Sequence, residues 1–494
     1  MLRILGSNKL FCDRLSRRDF MHVGALAPFG LTLAGCAKAS AAEAPKTSPA
    51  GFGKAKRCLL LYLWGSPSQI ETLDPKPNAP AEIRGSFGSI PTVIPGLRLG
   101  EILPQTARLA NRVTILRSLT HPYPVHSTTF AMTAAETPDL PLENNPTDPR
   151  HWPFVGSVVD YLAEQADRTP PQVPRNFGLP FSLGSRRRLK PGPYGGFLGS
   201  AYDTIWSEFR SQGTREILRD SGAPDVPTMV IADPYLGILP SDRFEFLPAA
   251  EGVTIDRLNG RATLLEQLDA SRRGFDDHAC HQAFDRHRAL AFSVLTSGKL
   301  RDALDVQSEP SGLREQYGMT LFGQSCLAAR RLLEAGGKFI TVCWDEYGLV
   351  NTGWDTHVHM KSRLGDELGP GFDRAFSTLL TDLDTRGMLD ETAVVVLSEH
   401  GRTPRIQPVA GGGRDHWSRA YSALFAGGGF ASGRVVGRTD RIAGEVVDTP
   451  FSPKDVVATL LHVLGIDPRA EIHDRFGRPY LIGGTGQVRS ELLA

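Results

Sequence analysis

The segment that decides the fold reads Thr392-Ala393-Val394-Val395-Val396-Leu397, followed at once by Ser398-Glu399-His400-Gly401-Arg402-Thr403-Pro404. The first part is an apolar, β-branched run without a polar break, which is typical of a buried, parallel strand. The second part sets down a carboxylate, an imidazole, a glycine and a guanidinium in succession. Open α/β sheets bind their ligands just beyond the carboxyl ends of such strands. The segment therefore predicts one side of a ligand site at a sheet edge.

Two further polar clusters follow the same pattern. Upstream, Gly353-Trp354-Asp355-Thr356-His357 comes after the strand-like run 338–344, and downstream, Gly413-Arg414-Asp415-His416-Trp417 adds another imidazole. Because parallel strands end at one edge of a sheet, the three clusters are expected to converge there. Their carboxylates and imidazoles indicate a metal-dependent active site.

Composition narrows the class of protein. The chain has 494 residues, 41% of them hydrophobic and 22% charged, with a formal net charge of +1. Such a chain is globular and can bury a large core. Its charge balance gives no support for nucleic acid or an anionic membrane as the main partner. The basic run 186–190 has no interleaved aromatic residues, so we interpret it as a solvated loop.

The first 41 residues read as an export signal. Ser16-Arg17-Arg18-Asp19-Phe20-Met21 is typical of a twin-arginine leader, and the apolar stretch 23–34 that follows is short and broken. Leu33-Ala34-Gly35-Cys36 is similar to a lipobox, whereas Ala39-Ser40-Ala41 is an ordinary cleavage site. The chain is thus expected to be periplasmic, either as a lipoprotein or as a freely soluble protein. Membrane contact is expected only through an N-terminal lipid.

Beyond a tether over 42–53, the pattern predicts one α/β domain over 54–494. Strands alternating with helices imply a doubly wound, mainly parallel sheet covered on both faces. We expect an insertion at about 172–335, which begins with long Gly-, Pro- and Arg-rich surface loops and continues as a charged helical cap. A disulfide among Cys58, Cys280, Cys326 and Cys343 stays open, since their spacing fixes no pairing.

Spacing suggests how the ligands divide. Asp355 and His357 stand two residues apart and can share one metal, with His359 as a competitor for His357. Glu399 and His400 are adjacent and point in different directions, which suits two metals about 4 Å apart. Mixed carboxylate and imidazole ligands favour zinc, manganese or iron over calcium or magnesium, with zinc or manganese expected first. The predicted set holds two divalent ions and comprises Asp355, His357, Glu399, His400 and His416.

The catalytic groups are harder to assign. Arg402 either clamps a phosphate or sulfate with its planar guanidinium or forms a salt bridge that orients a neighbouring carboxylate. Ser127, Thr128 and Thr129 are candidate nucleophiles, but each also suits a helix N-cap, and a metal-activated water can replace all three. His126, directly before them, is expected to act as general acid or as a partner of the ligands.

Taken together, these motifs resemble the secreted bacterial family grouped as domain of unknown function 1501, a sulfatase-like branch of the alkaline phosphatase superfamily. The shared elements include Trp64-Gly65-Ser66-Pro67-Ser68 as well as the three polar clusters. The resemblance implies a sulfatase-type sheet, two metal ions and a Ser, Thr or formylglycine nucleophile. It also implies that Glu399 and His400 are ligands, as are Asp355 with His357 or His359, and His416.

Two departures from the superfamily pattern matter. Trp64 and Gly65 stand where relatives usually carry an Asp after the first strand, so Glu71 or Asp74 is expected to substitute. The segment after His126 also lacks the sulfatase maturation signature, which argues against formylglycine. The chain is accordingly predicted to be an exported metal-dependent hydrolase of phosphate or sulfate esters, with an anionic ester as substrate. The alternative is a catalytically degenerate protein that binds an envelope polymer or a protein partner.

Overall fold

A computed structural model describes residues 50–209, 211, 213–222, 226–246, 286, 289–290, 293 and 298–494. The export signal predicted over 1–41, most of the tether over 42–53 and the first part of the predicted helical cap lie outside the described residues. Cys280 lies outside them too, whereas Cys58, Cys326 and Cys343 are buried free thiols.

A central eight-stranded sheet organises the fold. In chain order its strands are β1 (Arg57–Leu63), β2 (Thr114–Leu119), β3 (Asn176–Leu179), β4 (Ile205–Trp206), β5 (Phe339–Trp344), β6 (Thr392–Leu397), β7 (Tyr421–Ala426) and β8 (Arg434–Val436). Their order across the sheet is β8-β2-β7-β6-β1-β5-β3-β4. Only β7 runs antiparallel to its neighbours in this sheet. The predicted α/β class with a mainly parallel sheet is confirmed.

Alternate side chains of β1 contribute to two separate hydrophobic cores. Leu59, Leu61 and Leu63 join one hydrophobic cluster, and Leu60 and Tyr62 join the other. Because successive side chains of a strand point to opposite faces, a continuous apolar run marks a strand covered on both sides. Burial of each such large side chain stabilises the fold by about 1.5–3 kcal/mol.

Helices cover both faces of the sheet. They are α1 (Ala81–Arg84), α2 (Pro104–Arg108), α3 (Thr128–Met132), α4 (Leu140–Glu143), α5 (Val155–Ala166), α6 (Gly298–Leu304), α7 (Ser311–Tyr317), α8 (Leu321–Glu334), α9 (Met360–Ser362), α10 (Gly369–Thr385) and α11 (Pro453–Val463). Helices α8 and α10 pack against each other in the core that receives Leu59, and α5 and α11 contribute to the opposite core. The doubly wound arrangement follows from this division.

Two helix boundaries follow the local chemistry of the sequence. Ser452 caps α11 in a capping box with Asp455, Pro453 occupies the first turn, and Gly465 follows the end with φ +79°. Gly369-Pro370 begins α10 directly after the π-helical turn Arg363–Leu368. Proline lacks the amide hydrogen that a continuous helix needs, so the chain changes helix type there.

The stretch predicted as surface loops contributes to the sheet. Strands β3 and β4 lie at one end of it, and α8 packs on β5, so the segment 172–335 is not confined to the periphery. These strands have four and two residues, which is too short for an alternation of apolar and polar residues to be recognised in the sequence. The bounds predicted for the insertion stay a prediction.

Smaller elements complete the described part of the chain. Six two-stranded pairs lie outside the main sheet: Ser89–Pro91 with Arg98–Gly100, Glu208–Phe209 with Phe244–Glu245, Glu216–Arg219 with Met229–Ala232, Gly401–Arg402 with His416–Trp417, Arg438–Thr439 with Val446–Asp448, and Glu471–His473 with Pro479–Leu481. Over the described residues, no helix combines the length and the apolar character needed to cross a membrane.

Candidate metal centre

Neighbouring strand ends bring the three polar clusters together. β1 lies between β5 and β6, so the chain leaves all three strands at the same edge of the sheet. The amide of Trp354 donates to the carbonyl of Trp64 at 2.8 Å, which fixes the upstream cluster beside the end of β1. The short pair Gly401–Arg402 and His416–Trp417 folds the downstream cluster back onto the others.

Five side chains direct possible ligand atoms into one small volume. His126, His400 and His416 form one group, and Asp355, His357 and His416 form a second; within each, the ligand atoms lie within 4.8 Å of one another. Nitrogens bound tetrahedrally to one zinc ion stand about 3.3 Å apart, given zinc–nitrogen distances of about 2.0–2.1 Å. The atoms of each group lie near enough to one another that small side-chain movements could bring them onto one ion.

Asp355 lies between the two groups and faces both. Its Oδ2 is 3.3 Å from Nε2 of His126, whereas its Oδ1 is 3.1 Å from Nε2 of His357 and 3.4 Å from Nε2 of His416. Burial acts to raise the pKa of Asp355, but Arg402 and His126 hold that pKa well below its usual value. The carboxylate is thus ionised and can bridge two cations.

His400 directs an unprotonated ring nitrogen into the same volume. Its Nδ1 lies 2.8 Å from the carbonyl oxygen of Gly401, which can only accept, so Nδ1 carries the proton and Nε2 the lone pair. Nε2 is buried and has no hydrogen-bond partner among the described residues. Burial, with the charges of His126 and Arg402, lowers the pKa of His400 well below the ordinary value. A buried acceptor without a donor fits a metal cation.

The sequence predicted His126 to be a general acid or a partner of the ligands, but not a ligand itself. Its Nδ1 lies 2.6 Å from Oε1 of Glu399, and its ring stacks on Trp64 at 4.7 Å between centroids. Burial would lower its pKa, but the carboxylates of Asp355 and Glu399 outweigh burial and raise it to about 9. A cation bound to Nε2 would displace that proton. The position of His126 after β2, a strand of the same sheet, is the sequence signal that was available.

Glu399, predicted as a ligand, takes a different place. Its carboxylate accepts hydrogen bonds from the hydroxyl of Tyr62 at 3.0 Å and the amide of Gly65 at 2.8 Å, besides the contact with His126. It belongs to neither group of possible ligands. The chain bends at Glu399 after the end of β6, so that the Glu399 carboxylate faces Tyr62 of β1 while His400 faces the cluster. Glu399 thus contacts His126, one of the possible ligands, and is not itself in either group.

Arg402, predicted either to clamp an anion or to orient a carboxylate, is buried and donates to four protein oxygens. Its guanidinium donates to the carbonyl oxygens of Gly65, Ser66 and Arg414 and to Oδ1 of Asp355. Its side chain has 0% relative exposure. The alternative reading of this arginine, a salt bridge that orients a carboxylate, agrees with the structure, with Asp355 as the carboxylate.

The structure separates the two candidate histidines of the upstream cluster. Nδ1 of His357 lies 3.0 Å from Oδ1 of Asp415, and its Nε2 lies 3.0 Å from Nε2 of His416. His359 instead faces Asp220 at 3.6 Å with 40% of its side chain exposed. His357, not His359, belongs to the cluster.

The candidate hydroxyls differ in their partners. Ser127 caps α3 by accepting from the amide of Phe130 at 3.1 Å, and it donates to the carboxylate of Glu143. The hydroxyl of Thr128 is buried and donates to the carbonyl oxygen of Pro191. Thr128 therefore has a structural contact that removes it from the ligand cluster, whereas Ser127 directly follows His126.

The end of β1 explains the missing aspartate. Gly65 has φ +93°, and a Cβ there would lie 2.2 Å from the backbone nitrogen of Asp355. No side chain fits, and Asp355 brings a carboxylate to that place from another strand. Neither expected substitute joins the cluster, because Glu71 pairs with Arg414 and Asp74 pairs with Lys76 and Arg117.

Comparison with known proteins gives one family. The family model described as "Protein of unknown function (DUF1501)" matches residues 55–493. Among curated proteins, none matches the sequence.

Several solved structures show a distant likeness to the chain. A protein in the alkaline phosphatase superfamily from Vibrio parahaemolyticus is 12% identical, with 92% of this chain and 76% of that chain covered and a TM-score of 0.35. A sulfatase from Pseudoalteromonas sp. is 12% identical, with 84% and 68% covered and a TM-score of 0.35. A phosphonate monoester hydrolase from Silicibacter pomeroyi is 10% identical, with 88% and 76% covered and a TM-score of 0.34.

Proposed function

The chain belongs to the DUF1501 family, and from that premise we propose that it is a metal-dependent hydrolase of phosphate or sulfate esters. The observation that supports this function is the cluster of four imidazoles around the ionised Asp355 carboxylate at the carboxyl edge of a parallel sheet. The Nε2 atoms of His357 and His416 lie 3.0 Å apart, and both face Oδ1 of Asp355, so the three atoms could converge on one cation. The unpartnered Nε2 of His400 points to the same conclusion.

The ligand set comprises two groups that share His416. His126 and His400 would hold one divalent cation, Asp355 and His357 would hold the other, and His416 could complete either site. Imidazole-rich sites of this kind favour zinc or manganese. When bound, such ions polarise an ester oxygen and lower the pKa of water, which is the chemistry that ester hydrolysis needs.

The protein's own residues prepare the site for that chemistry. Glu399 fixes the ring of His126 and keeps its Nε2 toward the cluster, as carboxylate–histidine pairs do in metal sites. Arg402 fixes Asp355 and keeps it ionised. Asp415 holds Nδ1 of His357 in the same way. The side chains of His126, His357 and His416 keep between 20% and 26% exposure, so the cluster is open on their side to an anionic ester.

The test combines metal content with turnover. Mature protein loaded with zinc or manganese should bind about two ions per chain and hydrolyse at least one chromogenic phosphate or sulfate ester. His400→Ala and His357→Ala should each lose at least one ion and most turnover, whereas His359→Ala, two residues along the same loop, should keep both. Equal metal content in His357→Ala and wild type would overturn the proposal.

One observation favours a second candidate, a degenerate family member that binds an envelope polymer or a protein partner. Arg402, one candidate for an anion clamp, has no solvent-exposed side-chain surface and directs its hydrogen bonds to protein oxygens. This candidate expects metal-loaded protein to retain a polyanion without hydrolysing any ester. Turnover that disappears in His400→Ala would exclude it.

We also propose export by the twin-arginine route to the periplasm, which rests on residues 1–41 of the sequence. Lipidation at Cys36 and ordinary cleavage after Ala41 remain the two alternatives. Intact mass of the mature protein separates them, because a diacylated Cys36 adds lipid mass and a free N-terminus does not. Replacement of Arg17 and Arg18 by Lys should leave the precursor unexported.

A further inference from the structure

Arg363 is a buried arginine that follows the upstream ligand cluster, eight residues after Asp355. It begins the π-helical turn Arg363–Leu368, and it is only 5% exposed. Leu364 and Leu368 of the same turn are packed in one of the two hydrophobic cores. The guanidinium is thus carried by a stretch of backbone that the core holds in place.

All the hydrogen bonds of Arg363 in the described part of the chain go to backbone carbonyl oxygens. Nη1 donates to the carbonyl of Asn351 at 2.8 Å and to that of Asp355 at 3.0 Å. Nη2 donates to the carbonyls of Thr352 and Gly353. The N–H donors of a guanidinium form a rigid planar fork, so one side chain reaches several acceptors at fixed positions. Arg363 therefore fixes the course of the backbone that contains these carbonyls.

The four carbonyl oxygens depend on Arg363 for their hydrogen bonds. The segment 351–355 belongs to no helix or strand, and none of these four oxygens accepts from a backbone amide within the described residues. A buried carbonyl oxygen without a donor costs free energy comparable to a lost hydrogen bond. Without the guanidinium, the segment would rearrange to find other donors, and Asp355 would move with it.

The same segment positions two possible ligands. Asp355 is its last residue, and His357 follows two positions later. The amide of Trp354 donates to the carbonyl of Trp64 at 2.8 Å, which ties the segment to the end of β1. Arg363 ties it to the helical turn that leads into α10. The two ties together determine where the ligand atoms lie.

We propose that Arg363 is a positioning residue of the candidate metal centre, which holds the segment 351–355 so that Asp355 and His357 can share one cation. This inference rests on the proposed function for the presence of that cation. Arg363 acts through the main chain, because its contact with Asp355 is to the carbonyl oxygen. It differs in this from Arg402, which contacts the carboxylate. The π-helical turn agrees with such a role, because π-helical turns are frequent at functional sites.

A second buried arginine provides the matched control. Arg330 of α8 is 1% exposed and forms ion pairs with Glu309 and Asp382. The nearby carbonyl of Leu333 accepts from the side chain of Arg57, the first residue of β1. Arg330 therefore lies toward the edge of the sheet where the strands begin, whereas the candidate metal centre lies where they end.

Metal affinity distinguishes positioning from general stabilisation. Arg363→Lys keeps the charge but loses part of the fork of donors, and Arg363→Gln loses the charge as well. In competition with a chromogenic chelator, zinc affinity should fall about 10-fold in Arg363→Lys and about 100-fold in Arg363→Gln, the range for lost outer partners of a metal. The absorption spectrum of bound Co²⁺, which reports ligand geometry, should change in both. Arg330→Lys and Arg330→Gln should lose stability in urea unfolding but keep the affinity and spectrum of wild type. Wild-type affinity and spectrum in Arg363→Gln overturn the inference.

Hydrogen exchange of the metal-free protein tests the same role without a metal. The amide of Trp354, which is bonded to the carbonyl of Trp64, reports how firmly the segment is held. We expect this amide to exchange about 10-fold faster in Arg363→Lys than in wild type, and at the wild-type rate in Arg330→Lys. An unchanged rate in Arg363→Lys overturns the inference. If wild type binds no metal, the proposed function fails, and the exchange rates still decide whether Arg363 holds the segment.

Discussion

At the scale of single residues, the site depends on side chains that hold other side chains. Glu399 and Arg402 are both buried, and each contacts one possible ligand, His126 or Asp355. Removal of such a partner leaves the ligand in place but frees its orientation. The two residues therefore give separate predictions, one for metal affinity and one for stability.

Glu399→Gln should weaken metal binding by about 10–100-fold, which is the usual cost of losing an orienting partner. The amide is isosteric but carries no charge to make His126 a stronger ligand. Competition with a chromogenic chelator measures the affinity. Tyr62→Phe is the matched control, because it removes a donor to the other carboxylate oxygen and leaves His126 untouched. If Glu399→Gln and wild type bound metal with equal affinity, Glu399 would have a structural role only.

Arg402→Ala should destabilise the fold by about 3–5 kcal/mol, because it strands the buried Asp355 carboxylate and several carbonyl oxygens. Urea unfolding of metal-free protein measures this loss. Arg405→Ala, three residues along on an exposed position, should change the free energy of unfolding by less than about 0.5 kcal/mol. An Arg402 variant that kept full stability but lost ester hydrolysis would show that the guanidinium acts on substrate after all.

The residue scale also shows what the sequence could and could not reveal. Asp355, His357, His400 and His416 were predicted from residue type and strand-end position, and the structure gathers them. The direction of Glu399 was not predictable, because it depends on Tyr62 and Gly65 of another strand. Spacing along the chain identifies which residues reach the site, but contacts across strands decide which of them face inward.

At the scale of elements, the sequence predicts the helices and strands that have long apolar patterns or clear start and stop signals. Strands β5 and β6 and helix α11 carry long apolar patterns or complete start and stop signals, and the structure has them where the sequence indicates. Strands β3 and β4 are short and flanked by loop residues, so only pairing with the finished sheet defines them. The turn after β1 is decided in a similar way, by the close approach of the Asp355 backbone.

Gly65→Ala should therefore disturb the site as well as the turn. The added methyl group would lie 2.2 Å from the nitrogen of Asp355, in addition to the strain of φ +93°. Gly96→Ala separates the two effects, since Gly96 has φ +82° but nothing within 4 Å of the added atom. We expect about 1–2 kcal/mol of destabilisation from strain alone in Gly96→Ala with metal binding retained. Gly65→Ala should lose more stability and at least one bound metal; equal behaviour of the two variants would contradict this account.

At the scale of the whole molecule, ionisable groups concentrate where the sheet ends. Asp345 follows β5, Glu399 follows β6, and both are almost fully buried. Buried charges also occur among the helices that cover the sheet, for example Arg330 and Asp373. Because the charges at the sheet edge are buried, the fold is less stable than it would be with an apolar sheet edge. Such a loss of stability is common at functional sites. The pH dependence of folding should report this cost.

Asp345 is the residue for which the pH dependence of folding stability can be predicted most specifically. It accepts from the backbone amides of Gly184 and Glu346, yet burial raises its pKa to about 7. An unfolded aspartate has a pKa of about 3.9, so between about pH 4 and 7 the folded protein binds a proton that the unfolded chain has released. The contribution of Asp345 to stability then falls as pH rises through this range and levels off above pH 7. Asp345→Asn cannot titrate, so its free energy of unfolding relative to wild type should rise by a few kcal/mol from pH 4 to pH 7 and then stay constant. Urea unfolding of both metal-free proteins at intervals of pH measures the difference, and a difference that stayed flat or fell over this range would show that Asp345 is ionised in the folded protein.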